Sequence, residues 1–128
     1  MDFQVKLFNW QDQGNHLIIL TRGAMDGEAF KLLFDKIEAT SQYLNECKVF
    51  VDLSDSTCRI DCAEIESLIT CLPLHRWPRE KKIAFVSGPE ISDYHRLFLL
   101  RTQLEMRGLA VAVFRNSKVA IDWLAGML

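Results

Sequence analysis

Three short apolar runs, KVFVDL (48–53), KIAFVS (82–87) and AVAVF (110–114), each run on through a polar break into an apolar stripe at helical spacing. That alternation constrains the fold more than any other feature of the chain. Strands separated by helices cannot pair through tight hairpins. They pair in parallel through crossover helices, and such crossovers are right-handed. The first helix is expected from about Gly27 to Leu44, with Asp26 as its N-cap and Phe30, Leu33, Phe34, Ile37 and Leu44 on one face. Asp61 caps the second helix, and Glu64 three residues later completes a capping box. Ile65, Leu68, Ile69 and Leu72 form its stripe, and Pro73 ends it. Ser92 is expected to cap the third helix, which stops at Gly108. Asn116 caps the last, which buries Val119, Ala120, Trp123 and Leu124.

Ahead of this series, Phe3, Val5 and Leu7 alternate with polar residues as a half-buried strand does. QDQGN (11–15) supplies a turn and HLIILT (16–21) a returning strand, so the chain opens with a hairpin. The element order is ββαβαβαβα. It predicts one α/β domain over residues 1–128, with a mixed, mostly parallel five-stranded sheet flanked by helices.

Charge and cysteine usage narrow the function classes. Fifteen basic against seventeen acidic residues leave a net charge of −2. That balance argues against nucleic-acid binding and against an anionic membrane surface. The opening residues show neither a basic nor an apolar targeting segment, and no run is long enough to span a bilayer. Cys47, Cys58, Cys62 and Cys71 include no CxxC pair, and His16, His75 and His95 lie far apart in the sequence. Reduced thiols in a cytoplasmic setting are therefore expected, with no metal site. No glycine-rich dinucleotide or phosphate loop is present, so no cofactor is implied.

Four groups of residues are candidates for function. Cys62 stands at the first turn of the second helix, where backbone donors favour a thiolate, but Asp61 and Glu64 flank it and oppose one. Reactive thiol and inert packing both remain readings. The C-terminal ends of the parallel strands form the second candidate, a ligand rim that gathers Asp52, Ser87, Gly88 and Asn116 beside three helix starts. The segment RWPREKK (76–82) is the third, either a docking loop anchored by Trp77 or a solvated connection. The fourth lies on the third helix. There Leu97, Leu100 and Leu104 share one face, while Leu99 and Met106 fall on another. Apolar residues on two faces imply a second contact, with a partner protein or with another copy of the chain. No paired carboxylates, triad or metal cluster can be assembled, so an enzyme is not expected.

The local text also resembles a known family. VFVDLS (49–54), TCRIDCAEIESL (57–68), KIAFVS and RGLAVAVFRNSKVAIDWL (107–124) are similar to the corresponding stretches of the STAS domain, in particular its SpoIIAA-like subgroup. The resemblance implies a regulatory, non-enzymatic interaction module. In the family's anti-sigma-factor regulators the second helix begins Asp-Ser-Ser-Gly-Leu, and a serine there is phosphorylated by a partner kinase. Aligning Ile60-Asp61 with that motif places Cys62 on the acceptor position, with Ala63 and Glu64 in place of the small residues that follow. A thiol is not a substrate for a serine kinase, so the phosphoswitch is expected to be missing. The alternative is a small apolar or lipid-like ligand, because a related architecture holds lipids.

Overall fold

A computed structural model describes residues 2–10, 14–41, 47–72 and 82–126. Strand β1 (Asp2–Trp10) and strand β2 (Gly14–Met25) form the expected antiparallel hairpin, with Phe3 opposite Thr21 and Lys6 opposite Ile18. Helix α1 (Gly27–Ser41) leads to β3 (Cys47–Asp52), and a three-residue strand β4 (Ser56–Cys58) follows. Then come α2 (Cys62–Cys71), β5 (Lys82–Val86), α3 (Ile91–Met106), β6 (Ala110–Phe114) and α4 (Ser117–Leu124). The sheet runs β1-β2-β3-β5-β6, with β4 beside β2 and off this path, so the described strands number six. All pairs except β1–β2 are parallel.

Each right-handed crossover steps the same way across the sheet, which puts α1, α2 and α3 on one face. The core on that face gathers Phe30, Leu33 and Phe34 of α1, Ile65 and Leu68 of α2, and Leu97, Leu100 and Leu104 of α3. They pack on Leu17, Ile19, Val49, Val51, Ile83 and Phe85 of the strands. Phe34 and Phe85 meet edge to face with centroids 6.4 Å apart, the arrangement two ring quadrupoles prefer. Helix α4 covers the opposite face, where Ala120 and Leu124 pack on Ala84 and Val86.

Several expectations need correction. Val119 is 39% exposed, because the contact stripe of α4 runs through Ala120 and Leu124 with half-buried Trp123 against Phe114. Ser92 does not cap α3. The cap is Glu90, without a side-chain hydrogen bond, and Ser92 is an exposed residue of the first turn. The three-residue strand β4 was not expected as an element of its own. β2 also continues past Thr21 to Met25. Gly23 adopts φ 106°, a conformation open to glycine, just where β2 leaves β3 as partner and takes up β4. Asp26, Asp61 and Asn116 cap as expected: Ala29 N–H donates to Asp26 Oδ1 at 2.9 Å, Glu64 N–H to Asp61 Oδ1 at 2.8 Å, and Lys118 N–H to Asn116 Oδ1 at 2.8 Å. Gly108, at φ 91°, ends α3. Leu44 and Pro73 lie outside the described residues.

Phe85→Ala is expected to cost about 3–5 kcal/mol in urea denaturation, since it empties a fully buried ring site. Val119→Ala should change stability by no more than about 0.5 kcal/mol, the ordinary range for a surface position.

Candidate functional site

The start of α2 is built by one carboxylate doing two tasks. Glu64 Oε1 accepts the Asp61 N–H at 3.3 Å, which completes the capping box, while Glu64 Oε2 accepts the Gly27 N–H at 2.8 Å. Gly27 is the first residue of α1. Glu64 therefore ties the N-termini of two helices together, with its negative charge where both helix dipoles favour it. The approach is so close that a Cβ on Gly27 would stand 2.6 Å from Glu64 Oε2. Cys62 is exposed at the first position of α2, and none of these hydrogen bonds uses its side chain.

Of the four residues of the expected ligand rim, Asp52 and Asn116 each engage one side-chain oxygen with nearby backbone donors, and Ser87 is buried. Asp52 Oδ1 accepts the Ser54 N–H at 2.9 Å, and its carbonyl accepts from Thr21 Oγ1 at 3.1 Å. Asn116 spends its side-chain oxygen on Lys118 N–H and Val119 N–H. Ser87 is buried, its N–H donating to the Phe114 carbonyl and its hydroxyl without a protein partner. Gly88 borders a closed gap too narrow for a water molecule, where an added Cβ would stand 3.0 Å from the Ser56 carbonyl oxygen.

Beside this rim α3 braces β4. Asp93, buried in the first turn of α3, accepts the Cys58 N–H at 2.9 Å, and Arg96 Nη1 donates to the Cys58 carbonyl at 3.0 Å. One backbone residue is thus held by an acid and a base one turn apart. The Cys58 thiol is pushed up to about 11 by burial above all. The Asp93 charge adds to this, while the Ile60 N–H and the Arg96 charge oppose it.

Sequence reading missed the braces Glu64–Gly27 and Asp93–Cys58, and it missed an open cleft of about 360 Å³ between α1 and α2. Leu68 and Ala63 line this cleft, with Glu28, Lys31 and Asp61 around it and Cys71 at the C-terminal end of α2. Leu99 and Met106 are 49% and 74% exposed on the outward side of α3, with Phe98 and Ile91 exposed nearby. Trp77 lies outside the described residues. Among the described residues, no group of three or more His, Cys, Asp or Glu side chains is placed to hold a metal ion. None of the described helices is long and apolar enough to cross a membrane.

The layered sheet has an α/β fold of SpoIIAA-like type. Two solved structures share that fold. One is an uncharacterised protein of the DUF3478 family with a SpoIIAA-like fold from Shewanella loihica PV-4, at TM-score 0.60 and 14% identity over 95% of this chain and 93% of that one. The other is the anti-sigma factor antagonist SpoIIAA in its unphosphorylated form, at TM-score 0.50 and 13% identity over 96% of this chain and 99% of that one. No protein-family model matches the chain, and no curated protein matches it.

Gly27→Ala should lower stability by about 1–3 kcal/mol, because the new methyl group displaces the Glu64 carboxylate. In a double-mutant cycle read by urea denaturation, Glu64→Ala is expected to relieve most of that clash, so the two losses do not add. Cys58 supplies a pH dependence. Its thiol ionises near 9.0 ordinarily and near 11 in the fold. Its contribution is therefore fully present below pH 9.0 and is lost as pH rises toward about 11. The urea midpoint of the wild type should fall over that interval more steeply than that of Cys58→Ala, whose side chain does not titrate.

Proposed function

We propose that this chain is a non-enzymatic regulatory or protein-interaction module of STAS type, acting in the cytoplasm without a serine phosphoswitch at the start of α2. One observation carries the reading. The Glu64 carboxylate already accepts the Gly27 and Asp61 N–H groups, the donors that a newly added anion at this junction would seek. A phosphate next to it would meet a fixed negative charge. Cys62, at the position where the family carries its acceptor serine, has no hydroxyl to phosphorylate. The anti-sigma factor antagonist that shares the fold supports a regulatory task of this kind. The exposed pair Leu99 and Met106 on α3 adds a surface for a partner or for self-association.

A second reading, a small apolar or lipid-like ligand, is favoured by Ala63 and Leu68 along the α1–α2 cleft. The closed gap beneath Gly88 gives it no support, being too narrow even for water.

Affinity capture from the native host tests the first reading. Cys62→Asp, which adds a permanent charge at the acceptor position, is expected to recover the same partner in the same yield as the wild type. The protein isolated from the host should carry no phosphate on Ser54, Ser56 or Thr57. Loss of the partner on Cys62→Asp, or phosphate on those residues, would defeat the reading.

A further inference from the structure

Two properties of the cleft between α1 and α2 set what can occupy it. Its walls are mostly apolar, with buried Leu68 at the base and Ala63 beside it. The charge around the cleft is one-sided: Glu28, Asp61 and Glu64 contribute three carboxylates against the single ammonium of Lys31. Neither Glu28 nor Lys31 forms an ion pair among the described residues, so Glu28 is free to meet a cation from outside. The volume of about 360 Å³ suits one or two inserted side chains of a chain lying across the opening. An apolar trough with a negative surround complements apolar side chains flanked by cationic ones and repels an acidic segment.

We infer that the α1–α2 cleft docks an amphipathic, positively charged segment of a partner protein, its apolar side chains over Leu68 and its cations against Glu28 and Asp61. This deepens the interaction-module reading and rests on it. Seating such a segment buries apolar area on Leu68 and Ala63, while the rim charges set orientation and on-rate more than affinity.

Two thiols on α2 provide the readout. Cys71 lines the cleft, Cys62 does not, and both are exposed and unbridged. The probes are a fluorescent helical peptide of Leu and Lys and its Leu/Glu counterpart, followed by anisotropy and by mass-spectrometric mapping of iodoacetamide labelling. The Leu/Lys peptide is expected to bind and to slow labelling of Cys71 several-fold while leaving Cys62 unchanged; the Leu/Glu peptide should not bind. Glu28→Lys should weaken binding roughly two- to fivefold, the range of one exposed charge pair, and chiefly by slowing association. Ser67→Tyr, at an exposed cleft position, should abolish it, with circular dichroism confirming that both variants fold. The inference is overturned if the Leu/Lys peptide does not bind, if the Leu/Glu peptide binds equally, if binding survives Ser67→Tyr, or if both thiols are protected alike. The two readings fail separately. Host capture that survives Ser67→Tyr would remove the cleft and keep the interaction module, whereas capture lost on Cys62→Asp would remove the switch-free reading and leave the peptide result standing.

Discussion

The carboxylate of Glu64 is the point on which the junction of α1 and α2 depends. It accepts backbone N–H groups from two helices far apart in sequence, Gly27 at the start of α1 and Asp61 at the start of α2. Each helix start leaves several backbone donors without an intrahelical partner, and a shared acceptor satisfies one from each while placing negative charge at both positive dipole ends. The cleft between α1 and α2 opens beside this bond, with Gly27, Asp61 and Glu64 among its lining residues. Gly27 is required there for lack of space, since any side chain would collide with the carboxylate.

A second brace ties α3 to β4 near the strand ends. Asp93 and Arg96 of α3 hold the Cys58 peptide, and the Thr21 and Ser56 hydroxyls lie 2.6 Å apart beneath it. Thr21 donates to the Asp52 carbonyl, which leaves Ser56 to donate to Thr21. At the rim that open α/β sheets often use for ligands, the Ser87 hydroxyl and Asp93 Oδ2 keep no hydrogen-bond partner among the described residues, and a hollow of about 220 Å³ lies beside Asp93 and Arg96. The larger cleft lies instead between two helices.

Features written within a few residues of one another were legible in the sequence. The capping box of Asp61 and Glu64, the caps at Asp26 and Asn116, the αL glycine at position 108 and the apolar stripes of α1 and α2 all follow from local spacing. The two-faced apolar pattern of α3 was legible for the same reason, with Leu99 and Met106 outside the core and Leu97, Leu100 and Leu104 inside it. Features that depend on distant partners were not. Glu64 reads as a capping residue and gives no sign of its bond to Gly27, 37 positions away. Ser92, the better capping residue, marks the expected start of the third helix. The acid beside it, Asp93, is drawn inward by Cys58, 35 positions away, and the helix starts earlier. The short strand β4 has too few residues to show a period at all.

The positive φ of Gly23 has one more consequence. By turning β2 from β3 toward β4, it creates a second, three-residue ladder with an outer edge of its own. Arg59 N–H donates to the Met25 carbonyl on the inner side, so the alternation of a strand turns the Cys58 N–H and C=O outward. Such unpaired groups invite a strand from another molecule to add on. Here they are occupied by the side chains of Asp93 and Arg96. The bend that lengthens the hairpin strand therefore comes with its own guard against edge-to-edge aggregation, supplied by a helix from the other side of the sequence.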